Sequence, residues 1–148
     1  MKRMWAALGL VLALSAVMPR AAAAQDIRVR NSGGSLGQNY PNPFNPKTFI
    51  PFSVGDPPSC TDAGKQHRVS LKIYNIISQL VAVPVLQGGG GGVSGGQQLD
   101  NVSLPCGEYI AYWNGKVQST GREAASGTYL YRLEIDGKAM AKKMISVK

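Results

Sequence analysis

Apolar residues recur at every second position over several short stretches, and no stretch after residue 24 sustains a 3.6-residue period. Residues 48–54 place Ile50, Phe52 and Val54 on one face, with Pro51 on the opposite register. Proline cannot donate to a ladder, so this strand is expected at a sheet edge. Residues 68–74 alternate with Val69, Leu71 and Ile73 inward. Residues 80–86 form a valine-rich run in which Pro84 marks another edge, and residues 99–104 read as a weak strand. Residues 108–113 set Tyr109, Ala111 and Trp113 on one face, and residues 128–135 do the same with Tyr129, Tyr131, Leu133 and Ile135. Asp136-Gly137 then supplies a two-residue hairpin turn. The returning segment, 138–147, shifts its apolar phase between Met140/Met144 and Ile145/Val147, which predicts a bulge near Lys142-Lys143.

That makes about seven strands in roughly 100 residues, the count of an immunoglobulin-like sandwich. The expected fold class is all-β, an immunoglobulin-like antiparallel β-sandwich preceded by a signal peptide. Between the strands lie turn signals at Asp56-Pro57-Pro58 and Asn114-Gly115, and a glycine-rich loop over 88–96 that reads as flexible. Residues 40–46 hold Pro41, Pro43 and Pro46, which forbid helix and fix an extended or turning path. Tyr40 and Phe44 in that rigid segment are expected to plug one end of the core.

The N-terminus has a different pattern. Lys2 and Arg3 precede an almost wholly apolar run at 4–18, then Pro19, Arg20 and four alanines at 21–24. Charge, apolar run and small-residue site are those of a secretory signal peptide, cleaved after Ala24. The run is 15 residues, short of the roughly 20 that span a bilayer. The organisation expected is therefore a signal peptide at 1–24, a flexible polar leader at 25–38 and one β-sandwich domain at 39–148.

Composition narrows the chemistry. With 148 residues the chain holds one ordinary core. It has one histidine and two cysteines, which excludes a three-histidine metal site and a four-cysteine zinc site. Losing Lys2, Arg3 and Arg20 leaves 13 basic residues against 8 acidic, a net charge of +5. These charges are scattered rather than gathered on one element, so no nucleic-acid partner is expected. Cys60 and Cys106 are an even pair in an exported chain, and a disulfide between them is expected. Residues 33–37 and 92–96 both match G-x-S-x-G, but neither lies between a strand and a helix as a nucleophile elbow must. His67 sits among Lys65, Gln66 and Arg68 and reads as a solvated loop residue rather than a base. Asp56 and Asp62 offer too few oxygens for a calcium site.

One segment carries a resemblance. Residues 38–48, Gln-Asn-Tyr-Pro-Asn-Pro-Phe-Asn-Pro-Lys-Thr, resemble the opening of C-terminal sorting domains of type IX secretion, which are related to the immunoglobulin-like domain of the flagellar hook-cap protein. The matching positions of the opening are Asn39, Tyr40, Pro41, Asn42, Pro43, Phe44, Asn45 and Pro46. Further matches follow in order. Residues 71–75 resemble the family's "VxIYD" strand, Trp113 with Gly115 its "WDG", Gly127 with Tyr129 its "ASGxYxYRL", and Lys143 with Lys148 its "KM…K" end. The family has a glycine where this chain reads Ile76-Ile77-Ser78. The resemblance spans residues 36–148 and implies a non-enzymatic exported module for secretion sorting, surface attachment or interaction. A small structural subunit of a larger envelope or membrane complex is the alternative.

A protein partner is implied, either secretion machinery or an envelope complex. No cofactor, metal or small-molecule substrate is expected, and membrane contact is expected only through an uncleaved N-terminus. The expected location is exported: periplasm, outer-membrane surface or extracellular. The terminal strand, 138–148, offers a backbone edge to which a partner strand could be added.

Overall fold

The computed structural model describes residues 33–89 and 93–148; the expected signal peptide and residues 25–32 of the leader lie outside them. Among the described residues there are nine strands and no helix: β1 (Gly34–Leu36), β2 (Thr48–Val54), β3 (Gln66–Asn75), β4 (Leu80–Ala82), β5 (Val85–Gly89), β6 (Val102–Pro105), β7 (Gly107–Trp113), β8 (Gly127–Ile135) and β9 (Lys138–Ser146). They form two antiparallel sheets packed face to face. One has the order β1-β2-β7-β5; the other has β4-β3-β8-β9, with β6 also on β3. β3 shares one edge between two partners, β6 along 66–69 and β4 at 73–74. The core is what the alternation predicts: Ile50, Phe52, Val54, Val69, Leu71, Ile73, Tyr109, Ala111, Trp113, Tyr129, Tyr131, Leu133 and Ile135 are all buried.

Four expectations are corrected. β2 is not an edge strand, because β1 and β7 flank it. The ladder between β1 and β2 ends at Leu36–Phe52, and Gly37 N–H then donates to the Pro51 carbonyl at 2.8 Å. The missing proline N–H thus falls where the neighbouring chain swings away before rejoining at Tyr40–Phe49. The run at 80–86 is two strands in different sheets. Proline removes a ladder donor at Pro84, and the chain crosses there from the β3 sheet to the β7 sheet. The third correction concerns the expected bulge at Lys142-Lys143. β8 and β9 stay in unbroken register from Gly127–Ser146 to Ile135–Lys138. The phase shift in the sequence is real exposure: Met144 is buried while Ile145 and Val147 face outward. Finally, residues 34–36 of the expected leader form β1.

Cys60 and Cys106 are joined by a disulfide with a Cα–Cα distance of 5.7 Å. It pins the 55–65 loop to the start of β7 and agrees with an oxidising compartment.

Candidate functional site

The residues that carry the resemblance come from both ends of the domain, and the fold brings them together. Asn39 is the hub of the opening segment. Its backbone N–H donates to the Tyr131 hydroxyl at 3.1 Å, and its Nδ2 donates to the Pro41 carbonyl and to Thr48 Oγ1. Thr48 Oγ1 in turn donates to the Pro41 carbonyl at 3.1 Å, and the Tyr131 hydroxyl donates to the Gly37 carbonyl at 2.8 Å. Asn39 and Thr48 are buried, and a buried polar group is costly unless it is bonded, so this ring fixes the entry of the proline-rich segment. Burial pushes the Tyr131 hydroxyl above its ordinary pKa of 10.0, with the Asn39 N–H pulling the other way.

The segment then lies along the outer edge of β9. Phe44 N–H donates to the Ile145 carbonyl at 2.9 Å, and Val147 N–H donates to the Phe44 carbonyl at 3.0 Å. Asn42 Oδ1 accepts the Ile145 N–H at 3.0 Å, and Gln38 Nε2 donates to the Lys143 carbonyl at 3.0 Å. An edge strand exposes a row of unpaired backbone groups; here the Lys143 carbonyl, both groups of Ile145 and the Val147 N–H are filled from within the chain. Successive residues of a strand point their backbone groups to alternate sides, so Ala139 and Ala141 face the same edge. They have no backbone partner there among the described residues. Among the described residues, the backbone edge expected to be free over 138–148 is therefore open only in its first half.

Phe44 anchors this clasp. Its side chain is 1% exposed and its ring centroid lies 5.4 Å from that of Trp113, which in turn lies 5.8 Å from Tyr129. Trp113 Nε1 donates to the Lys116 carbonyl, and the Tyr129 hydroxyl donates to the Ala125 carbonyl. Gly115 sits at φ +80°, and a Cβ there would overlap the Pro46 carbonyl oxygen. Glycine is the residue that can adopt both the angle and the approach. Tyr40 departs from expectation: it is 47% exposed and stacks on Phe49 rather than plugging the core. Pro41, Pro43, Asn45, Pro46, Gly127, Lys143 and Lys148 are exposed.

His67 is not a solvated loop residue. It lies on β3 facing inward, 8% exposed, with Nδ1 2.7 Å from Asp136 Oδ2. Asp136 Oδ1 accepts the Arg68 N–H at 2.9 Å. Partial burial pushes the Asp136 carboxyl up, but the Arg68 N–H, the His67 ring and the charge of Lys65 outweigh it and hold the pKa below 3.8. The pair ties the β8–β9 turn to β3. The sequence signal was available, since His67 is two residues before Val69 on the inward register of an alternating strand. Asp56 accepts from the Thr61 hydroxyl and N–H, which lower its pKa. Among the described residues no three His, Cys, Asp or Glu side chains are grouped to hold a metal ion.

The β3–β4 turn closes without the glycine of the sorting-domain pattern. Ser78 takes φ +62° in its place, and Asn75 Oδ1 accepts the N–H groups of Ile77 and Gln79. Comparison with protein-family models, with curated proteins and with solved structures gives no match.

Proposed function

We propose that this chain is an exported, non-enzymatic recognition module that acts in secretion sorting, surface attachment or interaction, as an immunoglobulin-like relative of the type IX sorting domains. The observation that carries the reading is the interlock of Asn42 and Phe44 with Ile145 and Val147. It makes one end out of the opening motif and the C-terminal strand, two of the stretches on which the resemblance rests. A machine that reads this end meets Pro43, Asn45, Lys47 and Lys148 as a fixed constellation, so little ordering entropy opposes recognition. The disulfide supports an oxidising location outside the cytoplasm.

The test is a fusion of residues 33–148 behind a periplasmic reporter in a host with type IX secretion. Deleting residues 143–148 would remove buried Met144 and Ser146 and confound signal with folding. The informative change is therefore Lys143→Glu with Lys148→Glu, both exposed. Surface display of the intact fusion, lost in the double variant with its melting temperature unchanged, is the expected outcome. If the intact fusion stays in the periplasm, sorting fails. The envelope-subunit reading then replaces it, with the open Ala139–Ala141 edge as the place to look for a partner.

A further inference from the structure

The β3–β4 turn lifts Ile76 and Ile77 into solvent, 73% and 68% exposed. They are not loose. Asn75 N–H donates to the Gln79 carbonyl, Ser78 N–H donates to the Asn75 carbonyl, and the Asn75 amide holds Ile77, Gln79 and the Gln79 side chain. A turn built this tightly keeps two adjacent isoleucines displayed with no way to fold back onto the sheet. Leu80 stands beside them on β4 and is also exposed.

The charge around this tip is one-sided. The tip lies at the end of the sandwich that holds the starts of β2 and β8, the end of β9 and the 114–123 loop. That placement follows from the pairings Asn75–Tyr129, Thr48–Trp113 and Gly127–Ser146 and from the bond of Gln118 N–H to the Val81 carbonyl. Lys47, Lys116, Arg122 and Lys148 are at this end against one acid, Glu123. None of the four has an ion-pair partner among the described residues. At the opposite end, around the disulfide and the β8–β9 turn, the charges are mixed: Asp56, Asp62, Glu108 and Asp136 lie with Lys65, Arg68 and Lys138.

We propose that this end seats on an anionic phospholipid surface, with Ile76 and Ile77 entering the headgroup and acyl boundary and the four basic residues meeting phosphates. The shape selects a bilayer over a protein groove. The apolar residues form a convex tip, and a lipid surface yields around a protrusion where a folded partner would need a matching cavity. The unpaired cations supply the complement to anionic headgroups, and each is worth about 1 kcal/mol near such a surface, a fivefold gain in partition. This contact goes beyond the sorting reading and is separate from the N-terminal contact expected from the sequence.

The test uses the full chain, labelled at isoleucine methyls, with lipid nanodiscs carrying a nitroxide lipid. A tip inserted roughly 5–10 Å into the interface suffers paramagnetic broadening at Ile76 and Ile77, while Ile50 in the core serves as the internal reference. The expected result is broadening confined to the tip on discs containing phosphatidylglycerol and absent on phosphatidylcholine discs. Ile76→Asp with Ile77→Asp should lose tip binding, and Lys116→Gln with Arg122→Gln should weaken it about 25-fold. Three results would each overturn the proposal. They are no selective broadening on anionic discs, equal broadening on neutral discs, and lipid-free self-association that the double aspartate variant abolishes. The last would assign the tip to a second copy of the chain. Any of these can occur with surface display of the reporter fusion intact, so the two proposals fail separately.

Discussion

Replacing Phe44 with alanine separates a structural clasp from a detachable tag. Phe44 belongs to a segment with no regular strand, yet it is the residue expected from sequence to plug one end of the core. In the structure its ring is 1% exposed and packs 5.4 Å from Trp113, between the two sheets. Truncating a buried phenylalanine costs about 3–5 kcal/mol through lost transfer energy and the cavity left behind. Against a total of about 5–15 kcal/mol for a domain of this kind, that is a large fraction of the stability. The expected melting temperature falls by roughly 10–20 °C. Urea unfolding followed by tryptophan fluorescence should show a lower midpoint with an unchanged slope, since the surface exposed on unfolding hardly changes. Lys47→Ala, three residues on and fully outside the core, should stay within about 0.5 kcal/mol of wild type. A Phe44→Ala cost below about 1 kcal/mol would make the segment an appendage rather than a clasp.

Three further outcomes are expected. Cys60→Ser with Cys106→Ser removes a bridge spanning 46 residues and should lower stability by about 4 kcal/mol in the chain-entropy model, read as a shift in the urea midpoint; no shift would contradict it. Ser78→Gly should raise stability by about 0.5 kcal/mol, since relief of the left-handed backbone at φ +62° exceeds the added freedom of the unfolded chain; a measured loss would mean the serine makes a contact of greater worth. Because the Asp136 pKa is held below its unfolded value of 3.8, its contribution is complete above about pH 4 and is lost as pH falls through the folded-state value. Asp136→Asn should flatten acid unfolding in that window, and unchanged pH dependence would count against the His67 and Arg68 contacts.

The two-residue alternation made most of the fold legible. In β7 and β8 every residue assigned inward is buried, and Asp136-Gly137 makes the expected turn with φ of 49° and 81°. What misled was proline read without its neighbours. Pro51 marks an edge only if the adjacent strand runs past it, and here that strand stops at Leu36, four positions before the reconnection at Tyr40. The period-two rule says which face a residue takes and nothing of which sheet, so the crossing at Pro84 was invisible in an unbroken valine run. For the candidate site, the motif residues were legible as a group, but their junction with β9 was not. Backbone bonds such as Phe44 to Ile145 leave no side-chain signature, and 101 residues separate the partners. Ile145 and Val147 read as a bulge because a change of apolar phase along a strand is what a bulge produces, whereas here they face outward on the stretch of β9 that the clasp pairs.

Amide hydrogen exchange at Phe44, Ile145 and Val147 tests the interlock of the two ends most directly. Each of these N–H groups has a partner across the clasp, so all three should exchange as slowly as Leu71 in the core strand β3, through global unfolding. Phe44→Ala should release Ile145 and Val147 before the rest of β9. Fast exchange at all three in the wild-type protein, with Leu71 still protected, would contradict it.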